Sequence, residues 1–242
     1  MGREWILVID SGIGGLWTLN KIRTICPHEN YLYFMDKLNA PYGNKSARFL
    51  KIITKRNIKK LIDLYDIKLV VFACNTLSSV VYDYIKGEFT EKQFIKIEPF
   101  VEPSLFKHSN TLVIATKNTI KRNKNLKKYA EHNNIFLHGF PSLAKKIDDA
   151  KGDYQKLLPY LKKELSSYSK LNIKNIVLGC THFNYIKPQL KEIFGNVAFF
   201  ENSENVAKNV KTLLKKTKKY QNKSSFPKKK QKNGQFLLLY KI

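Results

Sequence analysis

LVVFACNTLSS, residues 69–79, starts as an apolar and β-branched run and continues into a cysteine, a polar pair and small residues. Such a run is typical of a buried strand, and the residues that follow it favour a helix. In an open α/β sheet, ligands bind in the crevice beside the carboxyl ends of the strands. Cys74 is therefore predicted to lie at a strand-to-helix corner where a ligand binds.

The same construction returns in NIVLGCTHF, residues 175–183. Cys180 again ends an apolar run, and each of the two cysteines is followed by a threonine within two residues. A lone buried cysteine is most often a small core residue. Two thiols at matched strand ends instead suggest one chemistry that is carried out twice.

Strand–helix units repeat along the whole chain, and their strands are apolar without alternation. This pattern predicts an α/β fold of two similar domains that face each other, each with a mostly parallel sheet flanked by helices. A helix is expected at residues 78–86, an irregular segment at 141–149 and an exposed lysine-rich linker at 215–232. The apolar run at 235–240 is expected to return as a strand of the first sheet.

The net charge of +25, from 44 Lys and Arg against 19 Asp and Glu, raises the possibility of a polyanionic partner such as nucleic acid. The lysines are scattered over predicted helix faces, and lysine, asparagine and isoleucine are all abundant, as an AT-rich coding bias would produce. We therefore expect nucleic-acid binding to be non-specific at most.

No apolar run approaches the roughly 20 residues of a membrane span, so no membrane partner is expected. The short run at residues 5–9 lies between Glu4 and Asp10 and resembles a core strand more than a secretory signal. These observations predict a cytoplasmic protein.

The three cysteines and five histidines show neither disulfide-framework nor metal-ligand spacing, so no metal site is predicted. Cys26 is interpreted as a structural thiol. The histidines other than His182 are expected at the surface or in loops; they are His28, His108, His132 and His138.

DSGIGG, residues 10–15, is a glycine-rich loop after the first strand. Its glycines allow a tight turn and let backbone N–H groups approach an anion at the helix start, although the full dinucleotide fingerprint is missing. Asp10 is well placed as an acid/base helper, but it could instead cap the helix. His182 has the same two interpretations, a functional imidazole or a helix-start residue.

Four stretches together resemble the glutamate racemases, of the cofactor-independent aspartate/glutamate racemase superfamily. They are DSGIGG at 10–15, APYG at 40–43, ACNT at 73–76 and GCTH at 179–182, in the order and at roughly the spacing of the family. The resemblance implies that residues 1–96 and 206–242 form the first α/β domain and that residues 97–205 form an inserted second one. It also implies an active site in the cleft between these two domains.

The resemblance also implies the site. Cys74 would take the α-proton from D-glutamate and Cys180 from L-glutamate, with Asp10 beside the first thiol and His182 beside the second. An acidic helper is expected within residues 141–148, where Asp148 is the candidate. The substrate-binding residues implied by position are Asp10, Ser11, Tyr42, Gly43, Asn75, Thr76, Thr119, Thr181 and His182. The chain departs from the family at Asn39, where arginine is frequent, and at Asn202, where aspartate is common.

The chemistry explains these residue types. Inversion of an α-carbon needs a base on one face and an acid on the other, and a thiol/thiolate pair can exchange these roles. The α-proton is weakly acidic, so the thiolate must be activated and water largely excluded. The resemblance thus implies a glutamate racemase without cofactor that supplies D-glutamate for peptidoglycan precursors. It also makes a homodimer the candidate assembly. The alternatives are a racemase for aspartate or another small acid, and a basic regulatory protein associated with nucleic acid or gyrase.

Overall fold

Two parallel sheets organise the part of the chain that the computed structural model describes, residues 4–102, 106–221 and 236–240. The strand order is β4-β3-β1-β2-β9 in the first sheet and β6-β5-β7-β8 in the second, and all neighbouring strands are parallel. The strands are β1 Trp5–Asp10, β2 Asn30–Met35, β3 Ile67–Phe72, β4 Gln93–Lys96, β5 Thr111–Thr116, β6 Ile135–Phe140, β7 Asn175–Gly179, β8 Ala198–Phe200 and β9 Phe236–Tyr240.

Helices connect and cover these strands. Several of them begin after a residue whose side chain accepts a hydrogen bond from a free backbone N–H group of the first turn. Ser46 does so before the second helix and Asn123 before the sixth. The helices are α1 Gly15–Ile25, α2 Ala47–Leu64, α3 Asn75–Val80, α4 Tyr82–Glu88, α5 Lys117–Arg122, α6 Lys124–Tyr129, α7 Leu143–Asp149, α8 Leu158–Glu164, α9 Lys187–Phe194 and α10 Ser203–Gln221; short 3₁₀ turns include Lys37–Asn39, Tyr42–Asn44 and Thr181–Ile186.

Both faces of each sheet are covered, as the unbroken apolar strands predict. Leu7 and Ile9 enter the core on one face of β1, whereas Ile6 and Val8 enter the core on the other. The central strand β5 of the second sheet divides in the same way, with Leu112 on one face and Val113 on the other. The predicted α/β class with two parallel sheets is confirmed.

Two local predictions are wrong. The segment 141–149, expected to be irregular, contains helix α7, because Leu143 and Ile147 lie four residues apart and bury the same face in the second core. The single helix expected at 78–86 is two helices, α3 and α4, separated at Val81.

The basic segment near the end of the chain is partly helical. The linker expected at 215–232 is helix through Gln221, because α10 is anchored by Val206, Val210 and Leu214 in the core beside α1. The rest of that linker lies outside the described residues. The returning strand is confirmed, since β9 pairs in parallel with β2 and Phe236 stands opposite Tyr31. The boundaries at residues 97 and 205 stay a prediction.

In the described ranges, no helix combines the length and apolarity that crossing a membrane would require.

His138 was expected at the surface or in a loop, and this prediction is wrong. The residue lies on strand β6, with its ring 4.4 Å from that of Phe140. Its side chain is only 16% exposed, and burial lowers its pKa.

We expect Leu112→Ala to lower the free energy of unfolding by about 2–5 kcal/mol, because it opens a cavity beside a strand that is covered on both faces. Leu64→Ala is the control; this leucine is 62% exposed, so its loss should cost less than about 0.5 kcal/mol. Urea unfolding of both variants measures the difference. Equal costs would contradict the assignment of the core.

Candidate active site

The functional residues predicted from the sequence gather where the carboxyl ends of the two sheets meet. Asp10 ends β1 and Cys74 follows β3 in the first sheet. Thr116 ends β5 and Cys180 follows β7 in the second. Thr181 is bonded to Asp10 and Thr116 to Thr76, so these ends are in direct contact across the cleft.

Cys74 is a buried thiol with an acidic neighbour. Burial, followed by the charge of Asp10, raises the pKa of Cys74 well above its ordinary value, and the backbone N–H groups of Leu77 and Thr76 oppose this shift. The charge of Cys180 contributes in the same direction as Asp10, so the two sulfurs interact electrostatically. At neutral pH this environment keeps the proton on Cys74.

Asp10 is fully buried and receives hydrogen bonds from both sheets. One carboxylate oxygen accepts the backbone N–H groups of Ser11 and Gly12 and the Ser11 hydroxyl at 3.2 Å; the other accepts the Thr181 hydroxyl at 3.1 Å. Burial raises the pKa of Asp10, and the charge of His182 with these hydrogen bonds opposes the increase. A carboxyl group with a raised pKa binds a proton more readily and can therefore take part in acid/base transfer.

Cys180 begins a second chain of acid/base groups. Its sulfur lies 3.9 Å from Nδ1 of His182, whose Nε2 lies 3.2 Å from a carboxylate oxygen of Asp148. Burial disfavours the charged imidazole, but Asp148, Cys180 and Asp10 together outweigh it and raise the pKa of His182 well above its ordinary value. The structure thus brings Asp148, the candidate helper, to the imidazole.

The glycine-rich loop approaches this imidazole so closely that no side chain would fit. A Cβ atom on Gly14 would lie 2.5 Å from Nδ1 of His182 and 2.6 Å from the Thr181 hydroxyl. A Cβ on Gly12 would lie 2.6 Å from Nε2 of the same ring. The need for glycine here follows from the contact between the two sheets rather than from an unusual backbone angle.

Several polar groups beside the thiols are suited to a substrate. The Thr116 hydroxyl lies 2.9 Å from each of the hydroxyls of Thr76 and Thr119. Gly43 lies opposite them, where an added Cβ would be 3.0 Å from Cβ of Thr116. The side-chain oxygen of Asn75 is buried and has no hydrogen-bond partner among the described residues, as expected of a group that awaits a ligand.

Tyr42 is held differently from the other predicted binding residues. Its hydroxyl donates to Asp36 at 2.7 Å, so a contact of Tyr42 with substrate would come from its backbone. Asp36 and Thr116 were not singled out by the sequence analysis. Both stand at the carboxyl end of a strand, and that position was the available signal.

A cleft of about 340 Å³ opens beside the Asp148 carboxylate. Its walls come from the glycine-rich loop, the 3₁₀ turns and α7, and include Ser11, Gly12, Met35, Pro41, Lys145 and Asp148. Within the residues that the structure describes, no cluster of three or more His, Cys, Asp or Glu side chains is arranged to hold a metal ion.

The fold places two groups of acid/base side chains, one on each sheet, close to one another, an arrangement that is suited to an isomerase. No protein-family model matches the chain. Curated relatives do: it is 33% identical over 214 residues to the glutamate racemase of Clostridium acetobutylicum, covering 86% of this chain and 83% of the relative. It is 35% identical over 216 residues to glutamate racemase 2 of Bacillus subtilis, covering 85% and 80%.

A solved structure agrees with these relatives. Glutamate racemase from Francisella tularensis in complex with D-glutamate matches with a TM-score of 0.77 and 27% identity, over 98% of this chain and 88% of that one. The chain belongs to the glutamate racemase family.

We expect Gly14→Ala to reduce racemase activity by about 100-fold or more, because its methyl group forces His182 and Thr181 away from the glycine loop. Gly87→Ala is the matched control, since a Cβ there meets nothing within 4 Å and should leave activity unchanged. Initial rates and circular dichroism of both variants check the prediction. Full activity of the Gly14 variant would show that the loop does not contact His182 in the active enzyme.

Asp148→Asn should change how stability depends on pH. A raised folded pKa means that His182 contributes stability fully below the ordinary histidine value of 6.5, and that this contribution is lost as pH rises through the folded pKa. Removing the Asp148 charge lowers that pKa. The unfolding free energy of the variant, measured in urea at a series of pH values, should therefore fall less steeply above pH 6.5 than that of the wild type; parallel curves would contradict the pairing.

Proposed function

We propose that this protein interconverts L-glutamate and D-glutamate by a two-base mechanism that requires no cofactor. The observation that carries the proposal is the pair of buried thiols, Cys74 and Cys180, at the carboxyl ends of two facing sheets, each beside its own acid/base group. Inversion needs a proton acceptor on one face of the α-carbon and a donor on the other, and this arrangement supplies both.

In the L-to-D direction, the thiolate of Cys180 removes the α-proton, so the C–H bond breaks and an S–H bond forms. The Cys74 thiol then gives its proton to the opposite face of the carbanion. In the D-to-L direction the two sulfurs exchange roles. His182 and Asp10 take up and return the protons that reset each thiol, and their buried positions beside Cys180 and Cys74 support these roles.

The substrate is held by polar groups that surround the thiols. We assign the carboxylates and the ammonium of glutamate to Ser11, Asn75, Thr76, Thr119, Thr181, the backbone of Tyr42 and Gly43, and the carboxylate of Asp10. The buried, unpartnered oxygen of Asn75 supports this assignment, because such a group is costly until it is paired. Rates with aspartate and other small acids would show whether another substrate is preferred.

The product would serve peptidoglycan precursor synthesis in the cytoplasm. The homodimer and the non-specific binding of nucleic acid stay predictions. The alternative is a regulatory role in association with gyrase. It would be favoured if purified, folded and reduced protein did not exchange the α-proton of any small acidic amino acid.

The two thiols can be tested separately by proton NMR in D2O. Wild-type protein should replace the α-proton of both glutamate enantiomers with deuterium and interconvert them. Cys180→Ala should retain exchange of D-glutamate only, and Cys74→Ala exchange of L-glutamate only, because each keeps one base; inversion should fall at least about 1,000-fold in both.

Cys26→Ala is the control for these variants, because this third cysteine packs in the core beside α1. It should leave exchange and inversion unchanged. Undiminished inversion in either of the other cysteine variants, detected by chiral chromatography, would overturn the two-base assignment.

A further inference from the structure

We propose that Asp36 is a positioning residue for glutamate, which holds the Tyr42 side chain and so fixes the 3₁₀ turn Tyr42–Asn44 against the second sheet. This inference rests on the proposed racemisation of glutamate. It adds to the site a residue that lies outside the four motif stretches.

Asp36 is fully buried at the end of β2, and its backbone N–H donates to the carbonyl of Asp10 at 3.2 Å. Its carboxylate accepts hydrogen bonds from Asn39 at 2.9 Å to each oxygen, from the Tyr42 hydroxyl at 2.7 Å and from Asn57 at 3.1 Å. A buried carboxylate is costly unless it is hydrogen-bonded in this way. These donors are neutral side chains, with an amide at the position where the family resemblance implies arginine.

Tyr42 is anchored by this carboxylate rather than being available to a ligand. Its side chain is buried, and burial, followed by the charge and the hydrogen bond of Asp36, raises the pKa of Tyr42 well above its ordinary value. The phenol therefore stays protonated, and its hydroxyl donates a hydrogen bond to Asp36. Tyr42 can therefore meet a substrate only through its backbone.

The turn anchored in this way is in contact with the second sheet. The side-chain amide of Asn118 donates to the carbonyl of Tyr42 at 3.2 Å and to that of Lys45 at 2.9 Å. Gly43 lies against Thr116, whose hydroxyl stands between those of Thr76 and Thr119. A shift of the Tyr42 ring would therefore move the backbone that faces the proposed carboxylate-binding hydroxyls.

The test is a double-mutant cycle with Asp36→Asn, Tyr42→Phe and the double variant, assayed for glutamate racemisation in both directions. Tyr42→Phe removes the anchoring hydrogen bond, and Asp36→Asn removes the charge that strengthens it. We expect KM to rise about tenfold and kcat to stay within about threefold, because binding is weakened while the thiols keep their places. The double variant should be no more impaired than the more strongly impaired single variant, since both changes act on one interaction.

Asn57→Ala is the matched control. It removes a different donor to the same carboxylate and keeps the hydrogen bond between Tyr42 and Asp36, so it should lower the melting temperature and leave KM unchanged. An equal rise of KM in this control would assign the effect of Asp36 to general destabilisation. Additive effects of the Asp36 and Tyr42 changes, or an unchanged KM in Asp36→Asn, would also overturn the proposal.

Amide hydrogen exchange by mass spectrometry gives a readout without turnover. Asp36→Asn should accelerate exchange over residues 42–45, where Lys45 N–H donates to the carbonyl of Tyr42, and Asn57→Ala should not. If wild-type protein did not racemise glutamate, the proposed function would fail, and this measurement would still decide whether Asp36 holds the turn. An unchanged rate of amide hydrogen exchange over residues 42–45 in Asp36→Asn would contradict the inference.

Discussion

The hydrogen bond from the Thr181 hydroxyl to Asp10, at 3.1 Å, joins the carboxyl ends of the two sheets on a fully buried carboxylate. An ionised group in such a place needs several donors, and the loop after β1 supplies only part of them. The remaining donor, the Thr181 hydroxyl, comes from the opposite sheet, and it can come this close only because Gly14 has no side chain in its way. The acid/base properties of Asp10 are thus coupled to the contact between the domains.

The two thiols occupy unlike surroundings. Cys74 is buried beside the Asp10 carboxylate, and both burial and that charge raise the pKa of the thiol, so it keeps its proton. Cys180 faces an imidazole whose pKa is raised by its pairing with Asp148, so a positive charge stands beside this sulfur. The side chain beside one sulfur is thus a carboxylic acid, and the side chain beside the other is an imidazole base.

The features that could be predicted from the sequence are those at the ends of strands, whereas the features that depend on tertiary packing could not. Cys74, Cys180 and Asp10 could be found because each ends an apolar run and strand ends of parallel sheets converge. Helix α7 was missed, since only the fold shows that Leu143 and Ile147 share a buried face. The anchoring of Tyr42 by Asp36 could not be predicted either, because a tyrosine that binds a ligand and one that binds a neighbouring carboxylate have the same sequence signal.

The pairing of β9 with β2 has a consequence for biosynthesis. Phe236–Tyr240 joins the first sheet only after all four strands of the second sheet have been made. During translation the second sheet can therefore close by itself, while β2 presents an open edge until the last strand leaves the ribosome. An exposed edge of this kind pairs readily with other chains. A nascent chain stalled before Phe236 would be the form most in need of a chaperone.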